Sequence, residues 1–265
     1  MELQLAGKRA LVTGSSSGIG EGVALMLAAE GADVIVHGRD RARSQRTADA
    51  IRALGGRADI VIGDLTDAAQ AAEICAQTTA LGGVDILVNN AGGRSGGWAR
   101  DGWFNTSADA WIATYKLNVI ATAVMINGLT PHMISKKWGR IIQISSAVAL
   151  HQPPNFPDYQ AAKAAEINMS RSLSRGLAGT GVTANSISAG IINTPGSDGE
   201  IASIAAELGL EGGWQQHERH IALNVFRQTA DRVGRPEDIA AAVCFLASPK
   251  AAFITGVNLI IDGGM

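Results

Sequence analysis

Charge of either sign is scarce. Only 17% of the 265 residues are Asp, Glu, Lys or Arg, and they nearly cancel to a net charge of −2. No basic stripe or tail stands out, which argues against a nucleic-acid partner, because phosphates demand a concentrated positive face. Cysteine is almost absent: Cys75 and Cys244 each sit alone in an apolar helical pattern, without CxxC or metal-like spacing. That excludes a disulfide framework and leaves two core thiols in a reducing, cytoplasmic setting as the expectation. Long apolar runs are missing too: VIATAVMI at 119–126 falls far short of the roughly 18 residues a membrane span needs. The start, MELQLAGKRALVTG, runs into a strand pattern without the charged and then long apolar stretch of a secretory leader, so neither leader nor membrane is expected. Tyrosine occurs twice only.

What is present is a hydrophobic fraction of 46%, enough for a sizeable core. Short β-rich runs recur with helical stretches between them: 9–14, 33–38, 58–64, 85–90, 140–146, 182–188 and 257–262. Several are continuously apolar, the mark of strands covered on both faces. Between them lie an Ala/Leu/Met-rich stretch after Gly20, a long one from Asp109 to His132, and RPEDIAAAVCFLAS, where Pro236 suits a first helical turn. This alternation predicts an α/β fold: one doubly wound, parallel, seven-stranded sheet with helices on both faces. No linker, charge block or repeat divides the chain, so residues 1–265 are read as one domain. Segments 93–108 and 194–228 resist the pattern and are expected to be loops or a lid at the C-terminal edge of the sheet, where such folds bind ligands.

Directly after the first strand comes TGSSSGIG, with Gly14, Gly18 and Gly20 leading into a helix. Glycines permit a tight turn and close approach, while the helix start offers free N–H groups to a pyrophosphate. An isolated glycine triplet is usually an ordinary turn, but strand, turn and helix together point to a dinucleotide. At the end of the second strand, HGRDRAR puts Gly38 where an acidic residue would bind a ribose 2′-hydroxyl, followed by Arg39, Arg41 and Arg43. Cations at a helix start oppose its dipole, so a bound 2′-phosphate explains them better than solvation does. NADP(H) is therefore favoured over NAD(H), with Asp40 as the opposing signal.

With NNAG at 89–92, Asn118 in KLNV, Ser146 in ISS, and Tyr159 four residues before Lys163, the chain resembles the short-chain dehydrogenase/reductase family over essentially its whole length. Residues four apart share a helix face, so the Lys163 ammonium can sit near the Tyr159 phenol and lower its pKa toward the working range of an acid/base catalyst. The resemblance implies a Rossmann fold in which Tyr159 exchanges a proton with a carbonyl or alcohol oxygen while a nicotinamide exchanges hydride. It also implies that Ser146 bonds the substrate oxygen, Lys163 holds ribose hydroxyls and Asn118 supports a water relay. Alone, Ser146 would read as a strand-end hydroxyl and Asn118 as a helix-interior amide bonding backbone.

Cofactor contacts carry over by position to Gly14, Ser16, Ser17, Gly18, Ile19 and Gly20, and to Arg39, Asp64, Leu65, Asn90, Ala91 and Gly92. They carry over also to Tyr159, Lys163, Gly190, Ile192 and Thr194. In SAGIINT, Ala189 replaces the family's usual proline. Asp64 also reads as a helix cap. Trp98, Trp103, Phe104 and Trp214 in the variable segments suggest a sizeable, partly apolar substrate. His151, Gln152 and Asn155 are candidate polar substrate contacts, and Arg94 and Arg100 candidate anion receivers. His217 and His220 lack a third ligand, so no metal is expected.

The leading expectation is an NADP(H)-dependent enzyme interconverting a secondary alcohol and a ketone. A 3-oxoacyl thioester reductase is the alternative, disfavoured by the long 194–234 stretch, and a non-catalytic dinucleotide sensor is the reading from another class. The resemblance further implies association into a homo-oligomer, commonly a tetramer, through the helices of Asn118 and Tyr159 and the last strand.

Overall fold

The computed structural model describes residues 2–94 and 102–265. In chain order the elements are β1 Arg9–Val12, α1 Gly18–Ala29, β2 Asp33–Gly38, α2 Arg41–Ala53, β3 Ala58–Ile62, α3 Ala68–Ala80 and β4 Ile86–Asn89. Then come α4 Ala108–Tyr115, α5 Ala121–Ser135, β5 Gly139–Ser146, α6 Val148–His151, α7 Pro157–Gly176 and β6 Val182–Ala189. The chain ends with α8 Asp198–Glu207, α9 Glu218–His220, α10 Pro236–Ala247 and β7 Asn258–Ile261. Every strand pairing is parallel, in the order β3-β2-β1-β4-β5-β6-β7. The order reverses between β1 and β4, so their C-terminal ends open a crevice there, the general ligand position of such sheets.

The continuous apolar runs become strands because both faces are covered. One core cluster joins Val12, Val34, Val88 and Ile142 to Leu27, Ile51 and Val243 of α1, α2 and α10. The opposite cluster joins Leu11, Ile35, Leu87 and Ile141 to Ile74, Met125 and Leu177 on the side of α3, α5 and α7. Cys244 and Cys75 lie in the two clusters as free, buried thiols, and burial pushes the Cys244 thiol up to about 12. Helix starts follow local chemistry. Asp67 Oδ1 accepts from the Ala69 and Gln70 amides, Ser107 Oγ from Ala110, and Pro236 occupies the first turn of α10.

One expectation changes. Segment 194–228 is mostly helical rather than loop: α8, a 3₁₀ turn at Trp214–His217, α9 and a π turn at Ile221–Val225 pack a small core of Ile201, Trp214, Ile221 and Val233. Its glycines and short turns break the periodicity that a sequence reading needs. The long helical stretch expected from Asp109 to His132 is α4, a π turn at Lys116–Ile120 and α5, which form one helix over Ala108–Ser135, the one helix among the described residues long and apolar enough by composition to cross a membrane. Polar residues interrupt its apolar runs, and Met125, Leu129 and Met133 are buried in the core beneath the sheet.

Candidate active site

The crevice is built from the strand ends. Beyond β1, Thr13 Oγ1 accepts from the backbone amides of Asn90 and Ala91, both at 2.9 Å, which ties the TGSSSGIG turn to NNAG. Asn90 Nδ2 donates back to Thr13 O at 2.9 Å and Gly14 O at 3.2 Å. The cradle is tight: a Cβ on Gly20 would lie 2.4 Å from Asn90 Nδ2 and 2.5 Å from Gly14 O, so only glycine fits. Below it, buried His37 bridges the strand ends, its Nδ1 accepting from Gly14 N at 3.1 Å and its Nε2 donating to Gly63 O at 3.2 Å. Burial lowers its pKa to about 4, against the raising effects of Gly63 O and Asp64.

At the end of β2, Arg39 Nη1 lies 3.8 Å from Asp64 Oδ2, and both residues line a cavity of about 340 Å³ with Ser16, Gly38, Leu65 and Ala91. Asp64 caps no helix; its Oδ1 accepts from Thr66 N and Oγ1, each at 2.8 Å. Asp40 is the N-cap of α2, its Oδ1 accepting from Arg43 N at 2.9 Å. Its charge thus answers the helix start that Arg41 and Arg43 oppose, and the bond to Arg43 N holds its carboxyl below the usual range.

Beyond β4, the backbone of 92–94 is held by Asn118, which is fully buried in the π turn, a feature frequent at functional sites. Asn118 Nδ2 donates to Gly93 O and Thr114 O, both at 2.7 Å, and its Oδ1 accepts from Gly93 N at 3.0 Å. A Cβ on Gly92 would meet Asn118 Oδ1 at 2.6 Å and Lys163 Nζ at 3.1 Å, so the missing side chain brings these groups together.

The other expected groups converge from β5 and α7. Ser146 ends β5, and its hydroxyl hydrogen-bonds the Tyr159 phenol. Lys163 Nζ lies 5.7 Å from the Tyr159 ring centre and donates to Ile144 O at 2.9 Å. It also donates to both carboxylate oxygens of Glu166, at 3.1 and 3.0 Å. The sequence expectation of a lowered tyrosine pKa is corrected. Burial pushes the phenol up, outweighing the lowering by Lys163 and Ser146, and the Glu166 charge adds to the rise. Burial works to lower Lys163, but Glu166 and Tyr159 outweigh it and hold the ammonium above its ordinary value. Glu166 itself is pushed by burial up to about 7, against the pull of Lys163.

Ser146, Tyr159 and Lys163 share one cavity of about 440 Å³ with Ser17, Gly18, Ile19, Asn90, Gly92, Gly190, Ile192 and Thr194. A family model described as enoyl-(acyl carrier protein) reductase matches residues 14–265. The 3-oxoacyl-[acyl-carrier-protein] reductase FabG of Escherichia coli is 36% identical over 270 residues, covering 99% of each chain. The (2S)-[(R)-hydroxy(phenyl)methyl]succinyl-CoA dehydrogenase subunit BbsD of Thauera aromatica is 33% identical, over 96% of this chain and 95% of that one. Among solved structures, L-sorbose reductase of Gluconobacter frateurii complexed with NADPH and L-sorbose superposes with a TM-score of 0.91 at 29% identity, over 100% of this chain and 98% of the other. The chain belongs to the short-chain dehydrogenase/reductase family, and it is an oxidoreductase.

In this short-chain dehydrogenase/reductase, His151, Gln152 and Asn155, singled out as polar substrate contacts, lie elsewhere than on the cavity wall. His151 Nε2 is 3.1 Å from Asp262 Oδ2 beyond β7, Gln152 ends α6, and Asn155 forms an isolated bridge with Gly102. Arg94 lines the cavity, but its guanidinium is buried against the Asp158 carboxylate, with Nε 3.2 Å from Oδ1, and Thr114 Oγ1 donates to Oδ2 at 2.6 Å. Its charge is therefore matched within the protein. Trp103 and Phe104 face solvent, and Trp214 is buried in the 194–228 segment with Nε1 donating to Asp198 Oδ1 at 2.7 Å. Trp98 and Arg100 lie outside the described residues. His217 and His220 take separate partners, Glu211 O and Asn224.

The apolar wall comes instead from Ile144, Val148, Phe156, Ile201 and Phe226. Phe156 takes a left-handed backbone, φ 58°, which is costly for a bulky residue, and it immediately precedes α7. Glu166 was missed as well. Its signal was the i+3 spacing from Lys163 in an alanine-rich helix, which sets the carboxylate beside the ammonium.

Proposed function

We propose that this oxidoreductase uses NADP(H) to interconvert a secondary alcohol and a ketone, with Tyr159 as the acid/base and Ser146, Lys163 and Asn118 as its supporting groups. The observation that carries the reading is the one cavity that holds Tyr159, Ser146 and Lys163 together with the glycine turn and the start of α1. The cradle suits a dinucleotide: the Cβ-excluding Gly20, the free amides of the α1 start and the Arg39-lined cavity match a pyrophosphate and a 2′-phosphate. The bound nicotinamide supplies the hydride donor or acceptor.

The protein's own part follows from the phenol. In reduction, the neutral Tyr159 Oη donates its proton to the substrate carbonyl oxygen as charge develops there, and Ser146 Oγ bonds the same oxygen. In oxidation the transfers reverse. Lys163 stabilises the phenolate left behind and holds ribose hydroxyls. Asn118, its side chain spent on Gly93 and Thr114, serves the relay by fixing the backbone around Gly92. The remaining cofactor contacts are Gly14, Ser16, Ser17, Gly18, Ile19, Asp64, Leu65, Asn90, Ala91, Gly190, Ile192 and Thr194.

Segment 194–228 acts as a lid, contributing Ile201 and Phe226 to the wall. Because the nicotinamide end would share the same 440 Å³, the space suits a compact, partly apolar substrate rather than the sizeable one expected from the aromatic residues of the variable segments. A 3-oxoacyl thioester remains the second reading, favoured by the match to FabG over 99% of each chain. The homo-oligomeric state, a tetramer, is supported by Ile112 and Ile120 of the 108–135 helix and by Phe253 and Ile260 near the last strand, all exposed. A cytoplasmic setting agrees with the free thiols.

NADPH oxidation and NADP reduction over a panel of ketones, secondary alcohols and 3-oxoacyl thioesters test this reading. Tyr159→Phe is expected to lower turnover by about 10²–10⁴-fold with NADPH affinity changed by less than about threefold. Turnover within tenfold of wild type would remove Tyr159 from the chemistry, and NADPH binding without turnover of any substrate would favour a dinucleotide sensor.

A further inference from the structure

An ammonium has three hydrogens to donate. Those of Lys163 reach Ile144 O at 2.9 Å and the two carboxylate oxygens of Glu166 at 3.1 and 3.0 Å, so a ribose hydroxyl would take the place of one of these acceptors when cofactor binds. Both side chains are almost wholly enclosed, with 5% and 2% of their surfaces exposed. A buried carboxylate is costly to maintain unless it is matched, and this one is matched by the lysine that stands beside Tyr159.

The surroundings isolate the trio. On α7 itself the ionisable neighbours are Lys163 and Tyr159, one turn and two turns before Glu166. Ser145 Oγ donates to Lys163 O at 2.8 Å, so α7 covers the face of β5 that carries Ser145 and, two residues earlier, Gln143. Both are neutral, as is Asn89, the register partner of Gln143 on β4. The 116–120 turn brings the neutral Asn118 and also Lys116, whose charge acts on Asp67; α4, before it, carries Asp109 and Tyr115, and β6 carries no ionisable side chain. Among the described residues, the charge acting on Glu166 is that of Lys163.

We propose that Glu166 is a positioning residue of this site: its carboxylate fixes the Lys163 ammonium and offsets its charge, and through Lys163 it sets how readily Tyr159 gives up its proton. The catalytic meaning rests on the role given to Tyr159 above; the electrostatic coupling does not. With Glu166 ionised, Tyr159 faces a neutralised pair and its phenol holds the proton more firmly. With the carboxyl protonated, the full lysine charge favours phenolate. Burial moves that change upward from the ordinary carboxylate range, against the pull of Lys163.

The chain's two tyrosines make the coupling measurable without substrate. Tyrosinate absorbance in the near ultraviolet is followed against pH, and Tyr159→Phe, which retains Tyr115, supplies the trace to subtract. Glu166→Gln keeps an oxygen for Lys163 but removes the charge. It is expected to lower the Tyr159 ionisation midpoint by about one unit or more. Glu166→Asp keeps the charge and is expected to stay within about half a unit of wild type. Glu166→Ala carries the same expectation as glutamine and serves if the amide prevents folding. In alcohol oxidation, the rising limb of kcat against pH should move with the midpoint. An unchanged or raised Tyr159 midpoint in the charge-free variants would overturn the proposal, even if every variant keeps its melting temperature. Since the titration needs no turnover, it stands or falls separately from the assigned reaction.

Discussion

Replacing Arg39 isolates the 2′-phosphate contribution to cofactor choice. The guanidinium side chain is 76% exposed and its pairing with Asp64 is loose, at 3.8 Å. A hydrogen bond to a charged group contributes about 1.5–3 kcal/mol, and this exposure reduces the figure to about 1–2 kcal/mol. Arg39→Ala is therefore expected to weaken NADPH binding about 5–30-fold and to change NADH binding by no more than about twofold. Adding Gly38→Asp, to supply a carboxylate for the 2′-hydroxyl, meets a steric obstacle. The new Cβ would lie 2.8 Å from Ser16 Oγ, 2.9 Å from Ser16 Cβ and 2.7 Å from Ser44 Oγ. Ser16 belongs to the phosphate turn, so relieving the clash moves the cradle and weakens both cofactors. Ser16→Gly removes two of those contacts. The triple variant Ser16→Gly, Gly38→Asp, Arg39→Ala is expected to shift the NADPH-to-NADH affinity ratio by about 100-fold, adding a repulsion of similar size to the lost attraction. Titration of protein fluorescence with each reduced cofactor reads both constants without a substrate. Equal losses for NADPH and NADH in Arg39→Ala, or NADH binding as tight without Ser16→Gly as with it, would refute the reasoning.

His37 should give the fold an acid sensitivity. Its folded pKa of about 4 lies below the ordinary 6.5, so the unfolded chain takes up the proton first. The resulting stability is full above about 6.5 and is lost as pH falls toward 4, a change of about 3 kcal/mol. Denaturant titrations of wild type and His37→Gln across that window should diverge by this amount on acidification, and parallel curves would show that His37 titrates freely. For the oligomer, Ile112→Lys with Ile120→Lys, or Phe253→Asp with Ile260→Asp, should lower the sedimenting mass of a multi-subunit species. A wild-type monomer at micromolar protein would dismiss the assembly.

Much of this molecule was legible because its strands are short and buried on both faces, so each shows as an apolar run bounded by Gly or polar residues. The run 33–38 is β2 to the residue, and the others shift by a residue or two where side-chain chemistry ends the ladder, as at Thr13. The glycine turn was equally plain, because only glycine allows the contacts around Gly20. Segment 194–228 was not legible as helix, since Gly196, Gly199, Gly209, Gly212 and Gly213 break its first twenty residues and its helical turns after them are short, and its Trp214 proved to be packing for that segment rather than substrate wall. Asp40 read as a signal against a phosphate until its bond to Arg43 N showed it to be the helix cap.

The sequence by itself determined the parallel sheet and the dinucleotide turn, because local periodicity and fixed spacing encode them, while the Ser146, Tyr159 and Lys163 set followed from the resemblance of its motifs to the short-chain dehydrogenase/reductase family. Only the tertiary structure decided the electrostatic balance among those groups. Spacing places Lys163 beside Tyr159, but desolvation depends on everything packed around them, and here burial raises the phenol despite the lysine. The same holds for Arg94, whose carboxylate partner Asp158 is distant in the chain, and for Glu166, whose charge acquires meaning only once it is enclosed with Lys163. Net charge, reach and exposure at a site are sums over neighbours from many elements, and a linear reading has no access to that sum.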